Sequence, residues 1–341
     1  MEKEKDYVLQ VKHLQTKFKV GKKTVNAVND ASFNIERGTT LGVVGESGCG
    51  KSVTATSVMQ LLPKYGKITN GEIIFSPNDG REPMDLTKFK RTSKEIRSLR
   101  GKDISMIFQD PLSSLDPVYT VGHQVMENLL THEKISKEEG KERVVKLFRE
   151  LGIPAPEQRF DGYPHEFSGG MKQRVMIAMG MVCNPTILIA DEPTTALDVT
   201  IQAQILKLIK KMQQEYGTSV MLITHNMGIV AEVCDNVAVM YMGRVVEYGA
   251  LEQIFNNPKH PYTSALLRSV PVLGMGKNAE LESIEGSTPD ASEVFAGCEF
   301  EPRCTRACEK CKLAHPEARE IENGHIVRCW LYENEGEKVD E

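Results

Sequence analysis

Residues 43–52 read VVGESGCGKS, an apolar run followed by three glycines, a lysine and a serine. Gly45, Glu46, Ser47, Gly48, Cys49, Gly50, Lys51 and Ser52 fit the pattern G-x-x-x-x-G-K-[ST]. Glycines so spaced let backbone N–H groups turn inward around phosphate oxygens, and a helix that follows aims its positive end at the same anion. In that setting Lys51 reaches the β- and γ-phosphates and the Ser52 hydroxyl binds Mg²⁺. A second acidic site, Asp191 and Glu192, closes the apolar run ILIA. Asp191 suits a hold on Mg²⁺ through water, and Glu192 suits polarising the water that attacks a γ-phosphate. Gln109 after MIF and His225 after LIT are ordinary residues taken singly, since a lone histidine is more often structural than catalytic. Their spacing relative to the two acidic and glycine-rich motifs singles them out. FSGGMKQR, Phe167 to Arg174, adds a helix start at which Ser168 can cap, while Gly169 and Gly170 allow close backbone approach. Read as a second phosphate-binding site, it gives one chain two such sites far apart in sequence.

The elements that must hold these residues alternate between strand and helix. YVLQVKHLQTKF (7–18) alternates roughly and reads as a strand, VGKK as a turn, and VNAVNDASFNI as a second extended stretch. TTLGVVG is a buried strand, and KSVTATSVMQLL a helix stopped by Pro63. About Ser76 to Arg100 is polar and rich in Lys and Arg, which suggests a surface excursion; DISMIFQD is a short strand. Helical patterning dominates from Val121 to Val182, where KERVVKLFRELGI sets Val144, Val145, Leu147, Phe148 and Leu151 on one face and Gly152 as a stop. TILIADE and SVMLITHN read as buried strands on either side of an amphipathic helix, IQAQILKLIKKMQQEYG, closed by Gly217. VAVMYMGRVVEYG reads as a hairpin turning near Gly243. Apolar strands alternating with helices imply a parallel α/β sheet. The helical stretch between Gln109 and Asp191 looks inserted into it. Past about Asn256 the periodicity fades and prolines, glycines and cysteines increase, which sets a domain boundary there.

The chain has 341 residues, 40% hydrophobic and 26% charged, which suits one large domain with an appendage or two domains. A net charge of −5 offers no general basic field for nucleic acid. No run approaches the roughly 20 apolar residues needed to cross a bilayer, and MEKEKDYVLQ lacks the apolar core of a signal peptide. The expectation is a cytoplasmic protein whose membrane role, if any, is exerted through a partner.

With these motifs in order along the chain, the sequence resembles the nucleotide-binding subunits of ABC transporters over nearly its whole length. Gly45 to Ser52 resemble the Walker A loop, ILIADE the Walker B strand, Gln109 the Q-loop, FSGGM the signature motif, ALD (196–198) the D-loop and His225 the switch histidine. Phe167 stands where leucine is typical of the signature, and Met171 where glutamine is. Phe18 matches the aromatic that stacks on adenine, at a longer spacing than usual. The resemblance implies an α/β P-loop NTPase fold of the RecA-like kind. Its parallel core carries an inserted helical subdomain (about 116–184), an N-terminal antiparallel β part and a small Cys-rich C-terminal extension, with domains 1–256 and 257–341.

It further implies ATP and Mg²⁺ bound by Phe18, Gly45, Ser47, Gly48, Cys49, Gly50, Lys51, Ser52, Val53, Gln109, Asp191, Glu192 and His225. Of these, Ser52, Gln109 and Asp191 serve the metal, and Glu192, His225 and Gln109 catalysis. Two such domains pack head to tail, so that Ser168, Gly169, Gly170 and Asp198 of one cover the ATP of the other. Hydrolysis then drives a pair of membrane-spanning subunits from the cytoplasmic face. NPKHPYTSALLRSVP (257–271) and GCEFEPRC (297–304) resemble the C-terminal extension of oligopeptide and dipeptide importer ATPases, parts of which nickel importers share. Implied partners are two integral membrane permeases, a second and related ATP-binding subunit and, indirectly, a solute-binding protein. A nucleic-acid-associated ABC ATPase is the reading from another class. It usually shows coiled-coil insertions or two ATPase halves, neither visible here, and the acidic balance disfavours nucleic-acid binding. A small-molecule P-loop kinase would have no use for SGG.

Of eight cysteines, five crowd the tail: Cys298, Cys304, Cys308, Cys311 and Cys329. In a reducing compartment such a cluster reads as a metal site before it reads as disulfides. The resemblance matches Cys298, Cys304, Cys311 and Cys329 to the family's positions, with Cys308 additional. Four thiolates suit a [4Fe–4S] cluster or tetrahedral Zn²⁺. Irregular spacing and the lack of a nearby histidine among the ligands favour iron–sulfur, with zinc or plain reduced thiols as the alternatives.

Overall fold

The apolar stretches before the glycine loop, before Asp191 and before His225 form the middle of one sheet. The computed structural model of the chain describes residues 5–109, 114–195, 197–269 and 284–339. Strands β1 (Tyr7–Val20) and β2 (Lys23–Glu36) make a long antiparallel hairpin. Strand β3 (Thr40–Val44) is buried along its whole length and leads through the glycine loop into helix α1 (Lys51–Val58). Strands β4 (Gly66–Phe75) and β5 (Met84–Asp85) extend the antiparallel part, followed by helix α2 (Lys94–Leu99) and strand β6 (Ile104–Ile107).

Four helices then stand together: α3 (Val121–His132), α4 (Lys137–Glu150), α5 (Pro156–Phe160) and α6 (Gly169–Met181). Val144, Leu147, Phe148 and Leu151 are buried here, while Val145 is only partly so, and Gly152 ends the stretch at φ +67°. The chain returns through β7 (Ile187–Asp191), α7 (Val199–Tyr216), β8 (Ser219–Thr224), α8 (Met227–Val233), β9 (Asn236–Tyr241) and β10 (Arg244–Ala250). Gly217 caps α7 in the left-handed conformation at φ +65°, as a helix C-terminal glycine should.

The parallel core runs β9-β3-β8-β7-β6, and its register matters more than its order. Val44 pairs with Thr224, Asp191 with Ile223 and Ile107 with Ala190. All four strands therefore end at one edge, so the glycine loop, Glu192, His225 and Gln109 emerge side by side. Ligands in open α/β sheets bind at these carboxyl ends.

Three elements differ from the sequence reading. Helix α1 ends at Val58, well before Pro63. Gln60 takes a left-handed φ of +53°, with Gln60 N–H donating to Ser57 O at 3.0 Å and Leu61 N–H to Thr56 O at 2.8 Å. This is a Schellman stop that needs no proline. Strand β4 has no counterpart in the reading, because GKITNGEIIF alternates weakly and earns its place by pairing with β1. The stretch 76–100 is not wholly a surface excursion: Leu86, Ile96 and Leu99 are buried, single apolar anchors in a polar segment that shows no period.

Beyond residue 256 the chain keeps packing on the core. Helix α9 (Leu251–Asn256) is followed by α10 (Pro261–Arg268), a short α11 (Glu309–Leu313), and strands β11 (Arg319–Glu322), β12 (His325–Val327) and β13 (Glu337–Lys338). Strand β12 pairs antiparallel with β10, so this segment joins the main sheet.

Candidate nucleotide site

The loop from Gly45 to Gly50 is built around backbone that only glycine adopts easily. Gly45 has φ +150° and Gly50 φ +101°; a Cβ on the first would collide with the Met240 carbonyl, on the second with that of Ala27. Ser47 and Gly48 are exposed at the loop, Cys49 is buried, and Val53 packs on the core beneath the antiparallel strands. Helix α1 starts at Gly50 without a side-chain cap and without an acid in its first turn, so its positive end is uncompensated. Lys51 is buried, and its ammonium donates to Gly45 O at 2.7 Å and Glu46 O at 2.9 Å. Loop, cation and helix start together suit a phosphate chain.

Ser52 Oγ donates to Asp191 Oδ1 at 3.0 Å. Asp191 is buried, and that burial raises its carboxyl against the lowering effect of the Ser52 hydrogen bond. A hydroxyl and a carboxylate side by side at a loop are a donor pair for a hard cation.

Glu192 stands at the centre of a second contact set. Its Oε2 accepts from Gln109 Nε2 at 2.9 Å and from Thr195 Oγ1 at 2.8 Å, while Oε1 lies 2.9 Å from His225 Nδ1. Its backbone has φ +46°, a left-handed value for a non-glycine residue, held by Glu192 N–H donating to Ile223 O at 2.9 Å. Burial pushes the Glu192 carboxyl up, yet the hydrogen bonds from His225 and Thr195 outweigh it and hold the group below the usual range. Thr195 was invisible in the sequence: it is one hydroxyl in a loop, and only the fold aims it at Glu192.

Ser168, Gly169 and Gly170 lie elsewhere in the hydrogen-bond pattern. Ser168 caps α6, its Oγ accepting from Met171 N–H at 3.4 Å, and a Cβ on Gly170 would stand 3.1 Å from Ile201. Among the described residues no hydrogen bond joins this helix start to the Gly45–Ser52 loop. Asp198 is exposed and caps α7, accepting from Thr200 N–H at 3.1 Å and Ile201 N–H at 3.0 Å. Ala196, the first residue of ALD, lies outside the described residues. Phe18 sits opposite Val25, two residues before Ala27 whose carbonyl faces Gly50. Its ring packs on Gly66 and 5.9 Å from Tyr65.

Among the tail cysteines, Cys298 and Cys308 both meet Cys311. Cys298 N–H donates to Cys311 O at 2.7 Å, and the Cys308 and Cys311 sulfurs are 3.5 Å apart. The Cys298 thiol feels Cys311 and Cys329, and Cys329 in turn feels Cys304 and Cys311. Burial pushes Cys298 up to about 12 and Cys329 up to about 11. Among the described residues no three His, Cys, Asp or Glu side chains are grouped closely enough to hold a metal ion. The sulfur donors thus fit a thiophilic metal in kind, but are not gathered into a site.

Fold and site together define an ATP-binding cassette of the P-loop class. Residues 28–195 match the family model described as ABC transporter, and residues 246–311 the one described as oligopeptide/dipeptide transporter, C-terminal region. The chain belongs to the ATP-binding subunits of oligopeptide and dipeptide ABC transporters. It is 48% identical over 331 residues to the dipeptide transport ATP-binding protein DppD of Bacillus subtilis, covering 97% of this chain and 96% of that one. It is 46% identical to the oligopeptide transport ATP-binding protein OppD of the same organism, covering 98% and 91%. Among solved structures, the dimeric ATP-binding cassette MJ0796 in a post-hydrolysis state with ADP and Pi superposes with a TM-score of 0.62 at 26% identity, covering 71% of this chain and 98% of that one. The cbiO1 subunit from Clostridium perfringens gives 0.60 at 31%, covering 74% and 92%. No helix of the described residues is long and apolar enough to cross a membrane.

Proposed function

We propose that this chain powers the import of di- or oligopeptides by hydrolysing ATP on the Gly45–Ser52 loop. It acts at the cytoplasmic face of a membrane, against two permease subunits and beside a second ATP-binding subunit, with a solute-binding protein delivering the cargo. Lys51 and the loop N–H groups bind the triphosphate, with Phe18 toward the base and Val53 at the helix start. Ser52, Asp191 and Gln109 are the residues that would hold Mg²⁺, which when bound offsets the charge of the β- and γ-phosphates. Glu192 accepts the proton of the attacking water as its oxygen bonds the γ-phosphorus and the bond to the bridging oxygen breaks. His225 and Gln109 orient that carboxylate and the nucleophile. Ser168, Gly169, Gly170 and Asp198 meet the nucleotide of a facing subunit, as the dimeric relative suggests.

The observation that carries this reading is the Glu192 carboxylate. It is held by Gln109, Thr195 and His225, on the residue that directly follows Asp191 of the Ser52–Asp191 pair. Glu192→Gln keeps the shape and loses the base. Phosphate release should fall about 10²- to 10⁴-fold, while ATP binding persists and a nucleotide-bound dimer accumulates in size-exclusion chromatography. Normal turnover in this variant would unseat Glu192 as the base.

In the tail, Cys298, Cys304, Cys311 and Cys329 would hold a [4Fe–4S] cluster or, alternatively, Zn²⁺, serving as a staple for a segment with little apolar patterning. The softness of four thiol donors carried by one short segment of the chain supports this. Iron and sulfide analysis of anaerobically purified chain separates the two; zinc without iron would end the cluster reading.

A further inference from the structure

Glu46 lies inside the phosphate loop, yet among the described residues every hydrogen-bond partner of its side chain comes from beyond residue 256. Its carboxylate makes a two-pronged ion pair with Arg303, Nη1 to Oε2 at 2.7 Å and Nη2 to Oε1 at 3.0 Å, and accepts from Thr288 Oγ1 at 3.2 Å. Its backbone N–H donates to the Tyr262 hydroxyl at 2.9 Å. Arg303 is only 5% exposed. Its Nε donates to Glu285 O at 3.0 Å, and Nη1 also donates to the Tyr241 hydroxyl at 3.3 Å. Tyr241, Tyr262 and Phe300 form the floor beneath it, with ring centroids 4.7 to 5.3 Å apart. On the other side, the Glu46 carbonyl is one of the two that hold the Lys51 ammonium. A continuous set of contacts thus runs from the C-terminal extension, through Glu46, to the loop's cation.

We propose that Arg303, assisted by Tyr262, is a positioning residue for ATP binding: it neutralises Glu46 and turns that carboxylate away from the phosphate cradle. The inference rests on the ATP reading given above. A carboxylate left unpaired on this loop would repel the triphosphate at short range, where screening by solvent is weak. Arginine suits the task, because its planar fork matches a carboxylate at two points and fixes direction as well as charge. The Tyr262 hydroxyl fixes the Glu46 backbone, and with it the carbonyl that orients Lys51. Since these groups act on the binding of substrate and transition state alike, their loss should raise KM and leave kcat.

The test is steady-state phosphate release and MgATP titration of the full-length chain, beside thermal melts. Arg303→Gln should raise KM and Kd for ATP about tenfold, the scale of coupling between directly interacting residues, with kcat nearly unchanged. Glu46→Gln alone should raise KM for ATP less than Arg303→Gln does, because it leaves no unpaired carboxylate on the loop. Adding Glu46→Gln to Arg303→Gln should restore most of the affinity, because no unpaired carboxylate remains. Native affinity in Arg303→Gln, or a double variant no better than it, would overturn the proposal, as would a drop in melting temperature with no change in KM. If Arg303→Gln does not fold, Tyr262→Phe carries the test, since it keeps the ring and deletes only the acceptor of Glu46 N–H. A raised KM supports the proposal and an unchanged one overturns it. Native chain that shows no saturable ATP binding would instead end the ATP reading itself.

Discussion

Glu192 is held in a backbone region that costs a non-glycine residue about 1–3 kcal/mol, at φ +46°. The hydrogen bonds at the carboxylate, and those of its backbone to Ile223 and Thr195, offset that strain. Strain of this kind is tolerated where it aims a side chain, and here it aims the carboxylate away from its own strand. His260 is a second over-determined residue. It is fully buried, caps α10 by accepting from Tyr262 N–H at 3.0 Å, and burial pushes it down to about 4 against the opposing pull of Glu247 and Glu299. A histidine neutral in the fold and protonated when unfolded stabilises fully above its ordinary value near 6.5. That stability drains as pH falls from there toward 4. His260→Asn, which can cap without titrating, should flatten the loss of unfolding free energy between about pH 6.5 and 4 relative to the native chain; denaturant titrations across that window measure it.

At the scale of elements, the start of α6 serves two ends, and they can be separated. Ser168 is a helix cap in this chain, and in the proposed assembly it is also a ligand to the facing nucleotide. Replacing it by alanine should cost about 1 kcal/mol of stability through the cap alone. Ser168→Asp caps as well as serine but carries a negative charge to the partner's triphosphate. In the Glu192→Gln background it should keep the native melting temperature and lose the ATP-trapped dimer in size-exclusion chromatography. A dimer that survives would mean that this helix start is only a cap. The caps and the helix α7 stop at Gly217 were legible because they depend on nearest neighbours in the chain. Strand β4 and the buried anchors Leu86, Ile96 and Leu99 were not, because their partners lie across the sheet and their own stretches show no period.

Over the whole molecule, the C-terminal segment is tied to the core at several places, two of them far apart. One is the Arg303–Glu46 pair, formed across 257 residues of chain. The other is Glu247 on β10, fully buried in its side chain. It accepts from Lys259 N–H at 2.6 Å and His260 N–H at 2.9 Å, and lies 2.8 Å from His325 Nε2. All three partners lie beyond residue 256. In the full chain, Glu247→Leu would leave Lys259 N–H, His260 N–H and His325 without their shared acceptor, which costs about 3–5 kcal/mol. That variant should melt many degrees lower, whereas Glu247→Gln, which keeps an acceptor oxygen, should recover part of the loss, measured by yield and thermal melt.

The order of motifs, the glycine loop, the acids after apolar strands and the amphipathic helices were determined by the sequence itself, because periodicity, turn chemistry and capping act over a few residues. The convergence of Gln109, Thr195 and His225 on one carboxylate, and the reach of Arg303 into the phosphate loop, were decided only by tertiary structure. Those contacts follow from strand register and from the docking of a segment with weak patterning of its own. No local rule encodes which distant side chains will meet once the apolar faces have closed.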